Sequence, residues 1–269
     1  MTAAKLKPLT DFPIAARRDI ACVLTDIDDT LTINGRITAS AFTALEALDR
    51  AGIAVVPVTG RAAGWCDHIA RHWPVRGVVG ENGAFYFSYH RGSRRVVRRY
   101  WYEAARRIAD KTRLNALRDR ILQEVPRAGI ASDQAYRECD LAVDWCEDVD
   151  PLSQSEVERV VALAKEVGAT VRIASIHVNV WFGEFSKLGM SQRFAGDVLR
   201  MDTETAAERF VFSGDSPNDE TMFGYFPHSV GVANVLKFRG RLEAEPTYVT
   251  PSEGGDGFAE LARAILEAR

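Results

Sequence analysis

Ile20–Thr25 (IACVLT) runs directly into Asp26-Ile27-Asp28-Asp29-Thr30. A short, nearly continuous apolar run of this kind marks a strand buried on both faces, as in a parallel sheet. Its abrupt end in three carboxylates puts ionisable groups at the carboxyl edge of that sheet, where open α/β folds collect their ligands. The same signature recurs. Ile53–Thr59 (IAVVPVT) is a second buried strand and ends in Thr59-Gly60-Arg61. Between the two, Thr38 caps a helix whose Phe42, Leu45 and Leu48 share one face, and Gly52 stops it. Gly77–Val79 and the turn Glu81–Ala84 (ENGA) complete a β-α-β-α-β alternation.

The alternation then stops. Phe85–His90 and Val96–Tyr102 flank RGSRR and read as a hairpin. A charged helix over about 103–125, a strand near Leu141–Trp145, a helix over about 153–167 and strands at Thr170–Ala174 and Val178–Phe182 follow. From Lys187 the parallel pattern resumes: a helix to about Arg200, then strands at Phe210–Phe212, Ser229–Val232 and Tyr248–Thr250, and a closing helix over Phe258–Glu267. The predicted fold class is therefore α/β: a Rossmann-like parallel core built from residues 1–85 and 186–269, with an α+β cap inserted over 86–185.

The chain of 269 residues, 46% hydrophobic and 26% charged, has the composition of an ordinary globular protein, which excludes disorder and disulfide scaffolds. Its 34 Lys+Arg against 37 Asp+Glu provide no general basic field for nucleic acid or an anionic membrane. No stretch is long and apolar enough for a membrane span, and the N-terminus has no signal-peptide pattern. The four cysteines (Cys22, Cys66, Cys139, Cys146) form no C-x-x-C pair and read as reduced thiols. A cytoplasmic location, as a monomer or homodimer, is expected.

A third strand end, Ser213-Gly214-Asp215-Ser216-Pro217-Asn218-Asp219, is again acidic, and Lys187 opens the helix after the insertion. Carboxylates massed at one sheet edge repel one another, and burying them unpaired costs several kcal/mol. A hard divalent cation with oxygen ligands removes that cost, and a lysine and a threonine hydroxyl beside it offer donors to an anion. Metal, carboxylate nucleophile and phosphate donors are the parts of phosphoryl transfer.

These four segments, in this order, resemble the four motifs of the haloacid dehalogenase-like (HAD) hydrolase superfamily: TDIDDTLT, VTGR, Lys187 with Gly189, and GDSPNDETM. The insertion, with ENGA, resembles the subfamily with a type IIB cap, which includes Cof-type sugar phosphatases, sucrose- and mannosylphosphoglycerate-phosphatases and archaeal phosphoglycolate phosphatases. The resemblance implies a Mg²⁺-dependent phosphatase of small phosphorylated metabolites. It gives Asp26 the role of nucleophile and Asp28 that of general acid and base. Mg²⁺ falls to Asp26, the Asp28 carbonyl, Asp215 and Asp219, and the phosphoryl oxygens to Thr59, Gly60 and Lys187, with Asn218 positioning the nucleophile or a metal water. Lys187-Leu188-Gly189 departs from the directly adjacent Lys-Gly of relatives. The acid at Asp28, which dehalogenases lack, favours phosphoryl over haloalkane chemistry.

Other residues have plainer readings. Arg61 opens a helix, where arginines are usually exposed, and Asn82 belongs to a turn. His68 and His72 lack the acidic partner of a zinc pair and belong to a solvated face. Residues 91–127 carry twelve Lys+Arg against four Asp+Glu, and residues 128–185 four against eleven. These halves are expected to pair or to be solvated rather than to select an anionic substrate. Trp101, Tyr102, Trp145 and Trp181 are expected in the cap core. The alternatives within this reading are a phosphomutase or phosphotransferase, and a non-catalytic ligand-binding module on the same fold.

Overall fold

All four residues of Cys22–Thr25 are buried. In the computed structural model, which describes residues 6–174 and 176–269, this strand pairs in parallel with Ala54–Pro57 on one side and Phe210–Gly214 on the other. Ser229–Gly231, Tyr248–Val249 and Lys7–Pro8 continue the sheet beyond Phe210–Gly214, giving six strands, every pair parallel. A single bridge, Val58 to Val79, carries it on to Val78–Gly80. The chain thus leaves Cys22–Thr25 in one direction and returns on its other side, which makes the carboxyl end of this strand a topological switch point.

Alternation along the strands separates two apolar layers. Val23, Val55, Val211 and Val230 face one cluster, and Cys22, Leu24, Val56, Phe210 and Phe212 the other. On the first face, helix Ala39–Arg50 packs against the closing helix Gly254–Leu266. The Thr38 side chain caps the former by accepting from Ala41 N. Thr32–Ile33 and Arg36–Ile37 form a small hairpin beside the first strand's end. Its turn is Asn34-Gly35, both at positive φ.

The inserted unit is a four-stranded antiparallel sheet in the order Thr170–Ile173, His177–Trp181, Leu141–Asp144, Gly129–Ile130. Helices Ala104–Glu124 and Gln154–Glu166 cover it, and Leu114, Leu117, Ile121, Val160 and Leu163 meet Leu141, Val143, Val178 and Val180 in a cluster of their own. The hairpin Phe85–His90/Arg95–Tyr100 pairs with Val78–Gly80, and Phe85, Phe87 and Tyr86 are buried in the two core clusters. Its apolar side chains, not its position after the alternation, decide where it packs. The separate cluster spans Leu114 to Phe182. Among the described residues, no helix is long and apolar enough to cross a membrane.

Candidate active site

The loop after Cys22–Thr25 turns sharply, with Leu31 N donating to Ile27 O at 2.8 Å and Asp29 in the left-handed region. This turn buries Ile27 and leaves Asp26 and Asp28 lining one cavity. One Asp26 oxygen accepts from Ile27 N at 2.8 Å, and the other meets Lys187 Nζ at 3.0 Å. Lys187 stands in the first turn of helix Lys187–Phe194, whose cap is Ser186. Its Nζ also lies 2.8 Å from Asp219 Oδ1, and Asp219 Oδ2 accepts from Asp215 N at 3.1 Å. Asp215 Oδ1 accepts from the Thr30 hydroxyl at 3.0 Å.

Asp26, Asp215 and Asp219 are buried, and each brings a carboxylate oxygen within 4.8 Å of the others. Lys187 touches Asp26 and Asp219, and with Asp215 the three carboxylates carry two negative charges in excess of this one ammonium when all are ionised. Burial pushes Asp26 up to about 7, with Asp219 and Asp28 adding to the rise and Lys187 opposing it. Burial and then the charges of Asp219 and Asp26 raise Asp215 well above the ordinary carboxylate range. The two neighbouring carboxylates conversely hold Lys187 above its usual value, although burial opposes this. An all-oxygen donor set short of positive charge fits a hard divalent cation.

Other predicted site residues are nearby. Gly60 and Asn218 line the same cavity as Asp26 and Asp28, and the Asn218 side-chain oxygen accepts from the Ser216 hydroxyl. Thr59 is buried behind Gly60, where its hydroxyl accepts from Arg61 N at 3.1 Å. Arg61 is not the exposed residue expected. Its guanidinium grips Asp28 through Nε and Nη2 at 2.8–3.2 Å and reaches Glu147 of the inserted unit at 3.5 Å. Asn82 donates to Asp140 at 3.3 Å. His68 and His72 lie tilted against each other on an exposed helical face, with ring centroids 4.8 Å apart.

The opposite wall of the cavity comes from the inserted unit: Arg137, Ala174, Ile176, His177 and Asn179. Sequence reasoning missed all five. Asn179 follows His177 by two residues, the spacing of one face of a strand, but without the sheet the face had no identity. Arg137 is fully buried and donates to Gly60 O at 2.9 Å, to Asp140 at 3.0 and 3.2 Å, and to Asp133 at 3.1 Å. Glu81 anchors its loop. The carboxylate accepts from Ala63 N on the core side and from Glu138, Cys139 and Asp140 N on the inserted side. Burial, then the nearby Asp140, pushes Glu81 up to about 8 against the pull of Arg137 and these N–H groups.

The arginine-rich segment does not line this cavity. Arg106 and Arg113 pair with Asp110, Arg107 with Glu138, Arg120 with Glu124 and Glu166, and Arg127 with Glu156. Trp181 is buried and stacks on Phe185. Trp145 is partly buried beside the inserted cluster, whereas Trp101 and Tyr102 pack on the core instead.

Residues 23–118 match a family model described as haloacid dehalogenase-like hydrolase. In fold, the chain is similar to a protein of Thermoplasma acidophilum, with a TM-score of 0.72 and 15% identity over 93% of this chain and 99% of that one. It is similar to a HAD/COF-like hydrolase from Plasmodium vivax, with a TM-score of 0.69 and 16% identity over 96% of this chain and 100% of that one. Sucrose-phosphatase from Synechocystis, solved with sucrose and phosphate, gives a TM-score of 0.60 and 18% identity over 92% of this chain and 98% of that one. No curated protein matches it in sequence. Residues 23–118 thus resemble haloacid dehalogenase-like hydrolases, and more than nine-tenths of the chain shares the fold of these solved structures.

Proposed function

We propose that this protein is a haloacid dehalogenase-like, Mg²⁺-dependent phosphatase of small phosphorylated metabolites, acting through an aspartyl-phosphate on Asp26. The observation that carries the reading is the pairing of two acids with different surroundings on one cavity. Asp26 is buried against Lys187, and Asp28 stands two residues on in the grip of Arg61. Asp26, the Asp28 carbonyl and Asp215 would hold the cation, with Asp219 as a further ligand or as the anchor of Lys187 and Asp215. When bound, Mg²⁺ would supply the positive charge that the acidic cluster lacks and offset the negative charge of the phosphoryl group.

The chain's own residues carry the steps. The substrate's phosphoryl group lies between Lys187 and the Thr59-Gly60 turn. An Asp26 oxygen attacks phosphorus, the bond from phosphorus to the ester oxygen breaks, and Asp28 gives that oxygen its proton. Asp28, now a carboxylate, takes a proton from water. The water oxygen attacks phosphorus, releasing inorganic phosphate and restoring Asp26. Arg61 holds the Asp28 carboxyl in place between the steps. The cavity holds about 20 Å³, room for roughly one water molecule, so the wall bearing His177 and Asn179 withdraws to admit a metabolite and returns to exclude bulk water.

Phosphate release from a panel of sugar phosphates and phospho-acids with Mg²⁺ tests the reading, with Asp26→Ala assayed beside the wild type. Release from a few compounds, lost in the variant, is expected. Equal release by both proteins, or none from any compound, would overturn it.

A further inference from the structure

Among the described residues, eight buried side-chain nitrogen or oxygen atoms have no hydrogen-bond partner. Three of them, Arg137 Nη2, His177 Nε2 and Asn179 Oδ1, belong to residues lining the cavity beside Asp26. Buried polar atoms are almost always satisfied, so three on one wall mark a place where a ligand completes the hydrogen bonding. All three residues are at most 4% exposed, and all come from the inserted unit, facing Asp26, Asp28 and Gly60 across the cavity. They therefore stand where the leaving group of a bound phosphate ester sits, not where its phosphoryl group does.

The charges on this wall are already matched. Arg61 is shared by Asp28 and Glu147, and Arg137 by Asp140 and Asp133. His177 adds no charge, because burial, helped by Arg137, pushes its pKa down to about 4. Its Nε2 lies 2.8 Å from a Glu147 oxygen but out of line for a hydrogen bond. Two guanidinium groups thus face four carboxylates, and a second carboxylate or phosphate on the substrate would meet no uncompensated cation. A hydroxyl would. It can accept from Arg137 Nη2 and donate to Asn179 Oδ1, while the imidazole serves in either role according to its tautomer.

We propose that Arg137, His177 and Asn179 form the subsite that reads the leaving group, and that it selects a neutral, hydroxyl-bearing group over one with a second anionic function. The inference rests on the phosphatase reading of the same site. The arginines of the hairpin, Arg94, Arg95, Arg98 and Arg99, take no part in this selection, since none lines the cavity.

The test uses the full chain with Mg²⁺ on hexose phosphates, phosphoglycolate, phosphoglycerate and p-nitrophenyl phosphate, whose leaving group carries no additional hydroxyl. Hexose phosphates are expected to exceed both phospho-acids in kcat/KM by about tenfold or more. Asn179→Leu is expected to lose about tenfold more on hexose phosphates than on p-nitrophenyl phosphate, chiefly through KM. His177→Gln serves as the second variant should Asn179→Leu melt early. A preference for phospho-acids, or an equal loss on every substrate, would overturn the subsite while leaving the phosphatase reading intact. No release from p-nitrophenyl phosphate or any other compound by folded wild-type protein would overturn both.

Discussion

Two acidic clusters of this molecule are built on opposite terms. On the surface of the inserted unit, Glu124 and Glu166 meet Arg120 and Arg159, two charges of each sign. At the sheet edge, Asp26 and Asp219 share Lys187, Asp215 beside them touches no cation among the described residues, and all are buried. The surface ring is complete and solvated, so it matters little to the fold. The buried cluster is unbalanced where imbalance is expensive, and in the proposed reading a cation completes it. The lopsided charge of the inserted segment, conspicuous in the sequence, is thus the less informative of the two.

The sharpest way to break this contrast is to change the buried side. Asp26→Ala is expected to abolish steady-state phosphate release, and Asp28→Asn to lower kcat by about 10²–10⁴-fold, the range for a lost general acid. Both are read from initial rates with saturating Mg²⁺. Retention of more than about a tenth of wild-type kcat by either would contradict the assigned roles.

Next in size is the fastening between the two units. Arg137→Met leaves Asp140 buried without its guanidinium partner, which is expected to lower unfolding stability by about 3–5 kcal/mol in denaturant melts. A loss within about 0.5 kcal/mol would mean that Asp140 takes up a proton at no cost.

The third contrast is in pH. Asp26 and Asp215 have folded pKa values raised above their ordinary values. The folded, metal-free protein therefore holds protons that the unfolded chain releases, and stability falls as pH rises from the ordinary carboxylate range toward about 7 for Asp26. Mg²⁺ competes with those protons, so the rise in Tm on adding Mg²⁺ is expected to grow across this interval and to shrink in Asp215→Asn. A Mg²⁺ shift independent of pH would contradict the role of these groups. The smallest effect belongs to the surface ring. Arg159→Ala is expected to leave Tm and activity nearly unchanged, with any difference vanishing in high salt.

The core was legible because its signals are local. Apolar runs ending in Asp26, Thr59 and Asp215 fix parallel strands and their carboxyl ends, and Thr38 marks a helix start by cap chemistry. One local signal was overlooked: Asn34-Gly35, a strong hairpin turn sequence, forms the small hairpin by the site. The inserted wall was not legible. Arg137, His177 and Asn179 reach the cavity through strand register and through the anchoring of the Arg137 loop by Glu81, a residue fifty or more positions earlier. Their neighbours in sequence carry no sign of it. Arg61 was misread because helix position predicts exposure only when no opposing unit covers it, and here Glu147 does. The hairpin at 85–100 follows the same rule. Burial of Phe85 and Phe87 depends on a sheet edge that the chain had formed earlier.

The most direct test of the account is whether Asp26 becomes phosphorylated. Asp28→Asn, which slows hydrolysis of the intermediate, is mixed with p-nitrophenyl phosphate and Mg²⁺, quenched in acid within the first turnover and digested for mass spectrometry. One phosphoryl group on the peptide containing Asp26, absent when Asp26 is also replaced by alanine, is the expected result. Release of p-nitrophenol in a first-turnover burst with no phosphoryl group on that peptide would contradict it, and would assign the attack on phosphorus to water instead.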